Sequence, residues 1–170
     1  GDDIWLTGNL GNSYLGYRIF KNSKLKINNK DKEFYKNSYL YPSPCMFGSI
    51  VSKYVSAATD ISDGFYGDLN KILNYNVGAS LIKKDFLISR NLRKIISVNK
   101  SKLSIEDILS WGDDYQLIFT ANKRFKNKIN NLGKKNNIKL TNIGTILKDK
   151  RIYDDSMNII KNLSSYDHFS

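Results

Sequence analysis

The chain has 170 residues, 41% of them hydrophobic and 25% charged, which is enough apolar material for one domain with a real core and is ordinary for a globular protein. Its 27 Lys+Arg against 16 Asp+Glu leave a formal charge of +11, which favours anionic partners without saying which. The only cysteine, Cys45, excludes an internal disulfide and a Cys-rich zinc site and fits a reducing cytoplasm, and no apolar run approaches the roughly 18–20 residues of a membrane span.

In chain order, "DDIWLTG" reads as a strand ended by Gly8. "NLGNSYLGYRIFKN" reads as a helix opened by a glycine turn, with Leu10, Tyr14, Leu15, Tyr17 and Ile19 as its buried side. "NSKLKINNKDKEF" reads as a polar, Lys-rich connector, so residues 22–42 form the one long connection. "YPSP", residues 41–44, holds both prolines and predicts a break, because a residue before proline avoids the helical region. "CMFGSIVSKYVS" has helical spacing at Met46, Ile50, Val51 and Tyr54. "SAAT" reads as a short buried strand leading into Asp60. "DGFYGDLNKILNYN" reads as an amphipathic helix with Phe65, Leu69, Ile72 and Leu73 on one side. "VGASLIKK" reads as a strand, and "SRNLRKIISVN" and "SIEDILSW" as helices, the second with a capping start. "DYQLIFTAN" alternates as a strand does. "KRFKNKINNLGKKNN" reads as a basic helix ended near Gly133, followed by late strands or a hairpin in "KLTNIGTILKD" and "RIYDD" and an irregular tail, "LSSYDHFS". Alternating helices and strands predict an α/β (α+β) domain, a mixed sheet flanked by helices, filling residues 1–170.

Three stretches carry chemistry. In "ATDISDGFYGDLN", Asp60 at a strand end and Asp63 three residues later offer the hard oxygen ligands that Mg2+ takes together with substrate phosphate. Ser62 offers a hydroxyl to a phosphate oxygen, and the following helix aims its N–H groups at the same place. Read by spacing alone, the plainer account is favoured: Asp63 caps the helix and Asp60 sits in a turn. In "SWGDDYQLIF", Asp113 and Asp114 form an acidic pair that suits a cation or a cationic ring, or a solvated loop. In "YDHF", Tyr166 and Phe169 surround His168, the only histidine, in an otherwise polar tail. The glycine turn "TGNLGNSYLG" is neither a P-loop nor a dinucleotide fingerprint and reads as structural. The lysines are scattered among Asn and Ile, as in "KNKINNLGKKNNIKL", so a nucleic-acid-binding module is not expected.

Taken together, "GDDIWLTGNLGNSYLG", "YPSP", "ATDISDGFYGDLNKI", "NVGASL", "GDDYQLIFT", "IGTI" and "YDHF" resemble thiamine-monophosphate kinase, from the first residue nearly to the last. "DISDG" followed by "DL" in a helix is shared with the wider superfamily of aminoimidazole-ribonucleotide synthetase and selenophosphate synthetase. The resemblance implies the C-terminal domain of that fold and ATP-dependent phosphorylation of thiamine monophosphate to thiamine diphosphate. It further implies Mg2+ at Asp60 and Asp63, ATP at Ser62, and thiamine monophosphate at Asp113 and Tyr166. Four positions depart from the family pattern: Tyr41 and Cys45 beside the prolines, Trp111 in place of a glycine, and Gln116 in place of an acid. The resemblance covers only the C-terminal half of the family. The expectation is therefore a chain inactive by itself, completed by a separate N-terminal domain or working in a homodimer. The rival expectations are a non-catalytic binding or assembly domain that needs a partner chain, or a sister enzyme acting on another phosphate or carboxylate.

Overall fold

The computed structural model describes residues 1–74 and 76–160, the side chain of Asp85 excepted. Six strands form one mixed sheet: β1 (Asp3–Thr7), β2 (Val55–Asp60), β3 (Gly78–Leu81), β4 (Leu117–Ala121), β5 (Leu140–Leu147) and β6 (Ile152–Tyr153). Their order is β2-β4-β1-β5-β3-β6, antiparallel throughout except for the parallel pairing of β3 with β6. The expected mixed sheet flanked by helices is what forms.

Alternation along the central strands sends side chains to two cores. Ile4 and Leu6 of β1 and Ile118 of β4 join Phe65, Leu69 and Leu73 of α4 (Phe65–Leu73) on one face. Trp5, Phe119 and Ala121 point the other way, onto Phe47 and Val51 of α3 (Phe47–Val51) and Ile129 of α7 (Lys126–Lys135). A third, helical core packs Tyr14 and Leu15 of α1 (Asn12–Phe20) with Tyr35 of α2 (Asn29–Leu40), Leu92 of α5 (Arg90–Val98) and Ile108 of α6 (Ile105–Ser110). The capping start expected for α6 is present: the Ser104 and Asp107 side chains each accept a backbone N–H from the other residue.

The structure departs from the sequence reading in three places and sharpens it in two. The connector over 22–42 contains α2, opened by Asn28, whose side chain accepts the Asp31 N–H at 2.9 Å. This helix buries only Tyr35, so it has almost no apolar stripe, and packing on α1 sustains it. In "CMFGSIVSKYVS" the α-helix spans only Phe47–Val51, followed by a 3-10 turn, and Met46 is 77% exposed. The strand "SAAT" is not buried, because β2 lies at the sheet edge and every second residue faces out. Gly133 lies inside α7, where it packs against Leu140; the helix ends two residues later. The late strands make no hairpin, since β3 is inserted between β5 and β6.

Candidate functional site

The turn between β2 and α4 is built from the inside. Asp60 is the last residue of β2 and is exposed. Gly64 precedes α4 with φ 113, and a Cβ there would lie 2.7 Å from the Ser110 carbonyl oxygen, so glycine is needed on both counts. The expected cap does not form: no side chain caps α4, and Asp63 does not play that part. The turn is closed instead from within the helix. Asp68, wholly buried, accepts the Ser62 and Asp63 N–H groups on Oδ2, each at 2.9 Å. Its Oδ1 accepts from the Lys71 Nζ at 2.6 Å, and the same ammonium donates to Asp63 Oδ2 at 2.6 Å. Those two hydrogen bonds, to Asp63 first, hold the Lys71 ammonium more strongly protonated than usual.

The acidic segment docks on this turn through main chain. Ile61 N–H donates to the Gln116 carbonyl at 2.8 Å, Tyr115 N–H to the Ile61 carbonyl at 2.9 Å, and Asp113 N–H to the Ser62 carbonyl at 3.1 Å. Gly112 allows this approach, because a Cβ on it would overlap the Ser62 carbonyl. Asp113 and Tyr115 both adopt left-handed backbone, with φ 62 and φ 49, a conformation that costs non-glycine residues energy and clusters at functional positions. The Tyr115 hydroxyl donates to Asp113 Oδ1 at 3.2 Å.

The two acids of the pair have different jobs. Asp113 is half-buried and lines a cavity. Asp114 turns inward and accepts the Gly11 N–H at 2.7 Å and the Ser13 N–H at 3.2 Å, supplying the start of α1 with the cap that its own sequence lacks. The residue as a whole is half-buried while its carboxylate is enclosed, and burial pushes that carboxyl up to about 7 against the opposing pull of the backbone N–H groups.

Ser62, Asp63, Gly112 and Asp113 line one cavity of about 460 Å3, walled by Tyr17, Tyr39, Trp111 and Tyr115. Trp111 stacks on Tyr17 with ring centroids 4.5 Å apart. Asp113 also borders a neighbouring cavity of about 370 Å3, whose lining includes Phe34, Tyr41, Pro42, Asp114 and Gln116. Three of the five residues singled out by sequence, Ser62, Asp63 and Asp113, therefore share a cavity. Asp60 stands beside it at the strand end, close enough for its charge to act on the Tyr115 phenol. Tyr166 lies outside the described residues. Sequence reading missed the parts of Tyr39, Asp114 and Lys71. Tyr39 sits on the unrecognised helix, Asp114 acts on backbone about a hundred residues away, and Lys71 joins a helical neighbour, Asp68, to Asp63 across the turn.

The departing positions are structurally accommodated. Gln116 Oε1 accepts the Thr7 hydroxyl at 2.8 Å, and Thr7 Oγ1 in turn accepts the Leu117 N–H at 2.8 Å. Cys45 N–H donates to the Tyr115 carbonyl at 3.0 Å, tying the proline segment to the acidic loop. Tyr41 is 75% exposed. The donor set of Asp60, Ser62 and Asp63 is all oxygen and suits a hard cation. Among the described residues there is no cluster of three or more acidic, His or Cys ligands, so this turn offers only part of a cation's coordination shell.

No protein-family model matches the chain. A thiamine-monophosphate kinase of Buchnera aphidicola subsp. Schizaphis graminum is 34% identical over 178 residues, covering 99% of this chain and 53% of that protein. The thiamine-monophosphate kinase of Buchnera aphidicola subsp. Acyrthosiphon pisum is 31% identical with the same shares covered. The crystal structure of a thiamine-monophosphate kinase from Stenotrophomonas maltophilia superposes with a TM-score of 0.78 at 31% identity, over 91% of this chain and 50% of that one. The structure of AaThiL complexed with AMPPCP and TMP gives 0.78 at 25% identity, over 99% of this chain and 52% of that one. The hydrogenase maturation protein HypE of E. coli shares the fold, with a TM-score of 0.65 at 13% identity. The chain spans about half the length of the curated relatives that it matches, and over that span it is a homologue of the thiamine-monophosphate kinases, fitting the C-terminal domain of that family.

Proposed function

We propose that the chain is the C-terminal half of an enzyme that transfers the γ-phosphoryl group of ATP to the phosphate of thiamine monophosphate, releasing ADP and thiamine diphosphate. The observation that supports this reading is the backbone ladder joining the Asp60–Gly64 turn to the Gly112–Gln116 segment, with Ser62, Asp63 and Asp113 lining one cavity. The relative complexed with AMPPCP and TMP supports the choice of ligands.

Each group has a definite task. Asp60 and Asp63 would hold Mg2+, and Ser62 would give its hydroxyl to an ATP phosphate oxygen. Bound Mg2+ would supply neutralisation of the phosphate charge. Asp113 would pair with the cationic thiazolium, and the aromatic walls, with Tyr166, would hold a flat ring and exclude water. Transfer is direct, with the acceptor phosphate oxygen forming the new P–O bond as the ADP oxygen leaves, so no nucleophilic side chain is needed. The remaining metal ligands and much of the nucleotide site would come from an N-terminal domain, joined in a homodimer or supplied as a separate chain, in the cytoplasm.

Thiamine diphosphate formation is measured with the chain alone and with the N-terminal half of a relative added. Turnover is expected only in the mixture, with Asp113→Asn raising KM for thiamine monophosphate about tenfold. Robust turnover by the chain alone would remove the requirement for a second half. A mixture that assembles but neither binds nor phosphorylates thiamine monophosphate would overturn the kinase reading and favour a binding or assembly domain.

A further inference from the structure

The Lys71 ammonium is shared between two carboxylates of unequal standing. Asp68 is wholly buried, and its Oδ2 is occupied by the Ser62 and Asp63 N–H groups. Its Oδ1 carries charge into the interior and accepts from Lys71. A buried carboxylate demands a countercharge, so this contact is structural. Asp63 is different: its side chain is 32% exposed and lines the cavity. The Lys71 side chain is 50% exposed and reaches both acids from the second turn of α4. With half of its side chain in solvent, Lys71 is not part of the core. Asp63 is thus the partner that can be exchanged.

We propose that Lys71 is a resident counter-cation of this turn: it occupies the Asp63 carboxylate, competes there with a divalent cation, and retreats to Asp68 alone when that cation binds. The proposal rests on the reading of Asp63 as a metal ligand. An ammonium and a divalent cation on one carboxylate repel each other at a few ångströms, and the fixed donors to Asp68 Oδ2 keep the turn in place while Lys71 moves. The turn then holds its shape with or without metal, and the chain resists loading with cations before the phosphate-bearing partner brings its own.

The test uses Mn2+ alone, titrated into the 170-residue chain and followed by the loss of free-ion electron paramagnetic resonance signal. Lys71→Gln, which keeps a donor for Asp68 but no charge, is expected to bind Mn2+ about three- to tenfold more tightly than the unaltered chain. Lys71→Arg should match the unaltered chain, and Asp63→Asn added to Lys71→Gln should abolish the gain. If Asp63→Asn weakens binding but Lys71→Gln does not strengthen it, the counter-cation role is wrong and the ligand reading stands. If binding is indifferent to Asp63, both fall. A second readout needs no variant: Mg2+ should shift the Lys71 side-chain ammonium resonance and leave the Ser62 and Asp63 amides hydrogen-bonded. An unmoved ammonium resonance at saturating Mg2+ would overturn the proposal.

Discussion

Asp68 shows how a residue one turn into a helix can govern the loop before it. A carboxylate in the first turn of a helix is ordinarily credited with favouring the helix dipole. Here it folds back, and two main-chain N–H groups of the turn depend on it. Asp68→Ala strands both donors and leaves the Lys71 ammonium with Asp63 alone, so a loss of about 2–4 kcal/mol in denaturant unfolding is expected. Asp114 makes a second residue-scale prediction. Its carboxyl is raised to about 7 in the folded chain from 3.8 in the open one, so the folded state binds more protons between those values. Stability is therefore greatest below about pH 4 for this group and falls as pH rises through about 7. Asp114→Asn should flatten that part of the pH profile in thermal melts; an unchanged slope would show that Asp114 does not carry it.

At the scale of elements, the site is a junction of two turns. The Asp60–Gly64 turn follows an edge strand, the Gly112–Gln116 segment precedes the strand beside it, and main-chain bonds fasten one to the other. Gly112→Ala pushes a methyl group into the Ser62 carbonyl. The expected cost is about 1–3 kcal/mol, with ligand affinity falling further than stability because Asp113 loses its position. Calorimetric titration with thiamine monophosphate beside a thermal melt separates the two effects. The elements differ in how plainly the sequence announces them. α4 was legible because Phe65, Leu69 and Leu73 recur at helical spacing, and α6 because Ser104 and Asp107 are a local cap. α2 was not, because a helix that buries one tyrosine carries no periodic signal and exists through its neighbour.

Across the whole molecule, one sheet connects the site to cores on both of its faces. β4 lies between the strand that ends in Asp60 and the central β1, and it sends Ile118 to one core and Phe119 to the other. Phe119 packs on Trp5 and Phe47. Phe119→Ala should cost about 3–5 kcal/mol, and because the cores share their strands, Trp fluorescence and far-ultraviolet circular dichroism should report a single transition. Separate transitions by the two probes would mean that the cores unfold independently.

The sequence by itself determined the class of fold, most of the elements, and the ordered motifs that marked Asp60, Ser62, Asp63 and Asp113, because strand alternation, helical spacing and turn residues are local properties of the chain. It left open whether the "DISDG" carboxylates were a capped turn or a site. Only the tertiary structure decided that Asp63 does not cap α4, that Asp68 and Asp114 spend their charges on backbone N–H groups, and that Lys71 stands at Asp63. These are contacts across a turn, or in the case of Asp114 across about a hundred residues, and no window of sequence contains both partners of the longest of them.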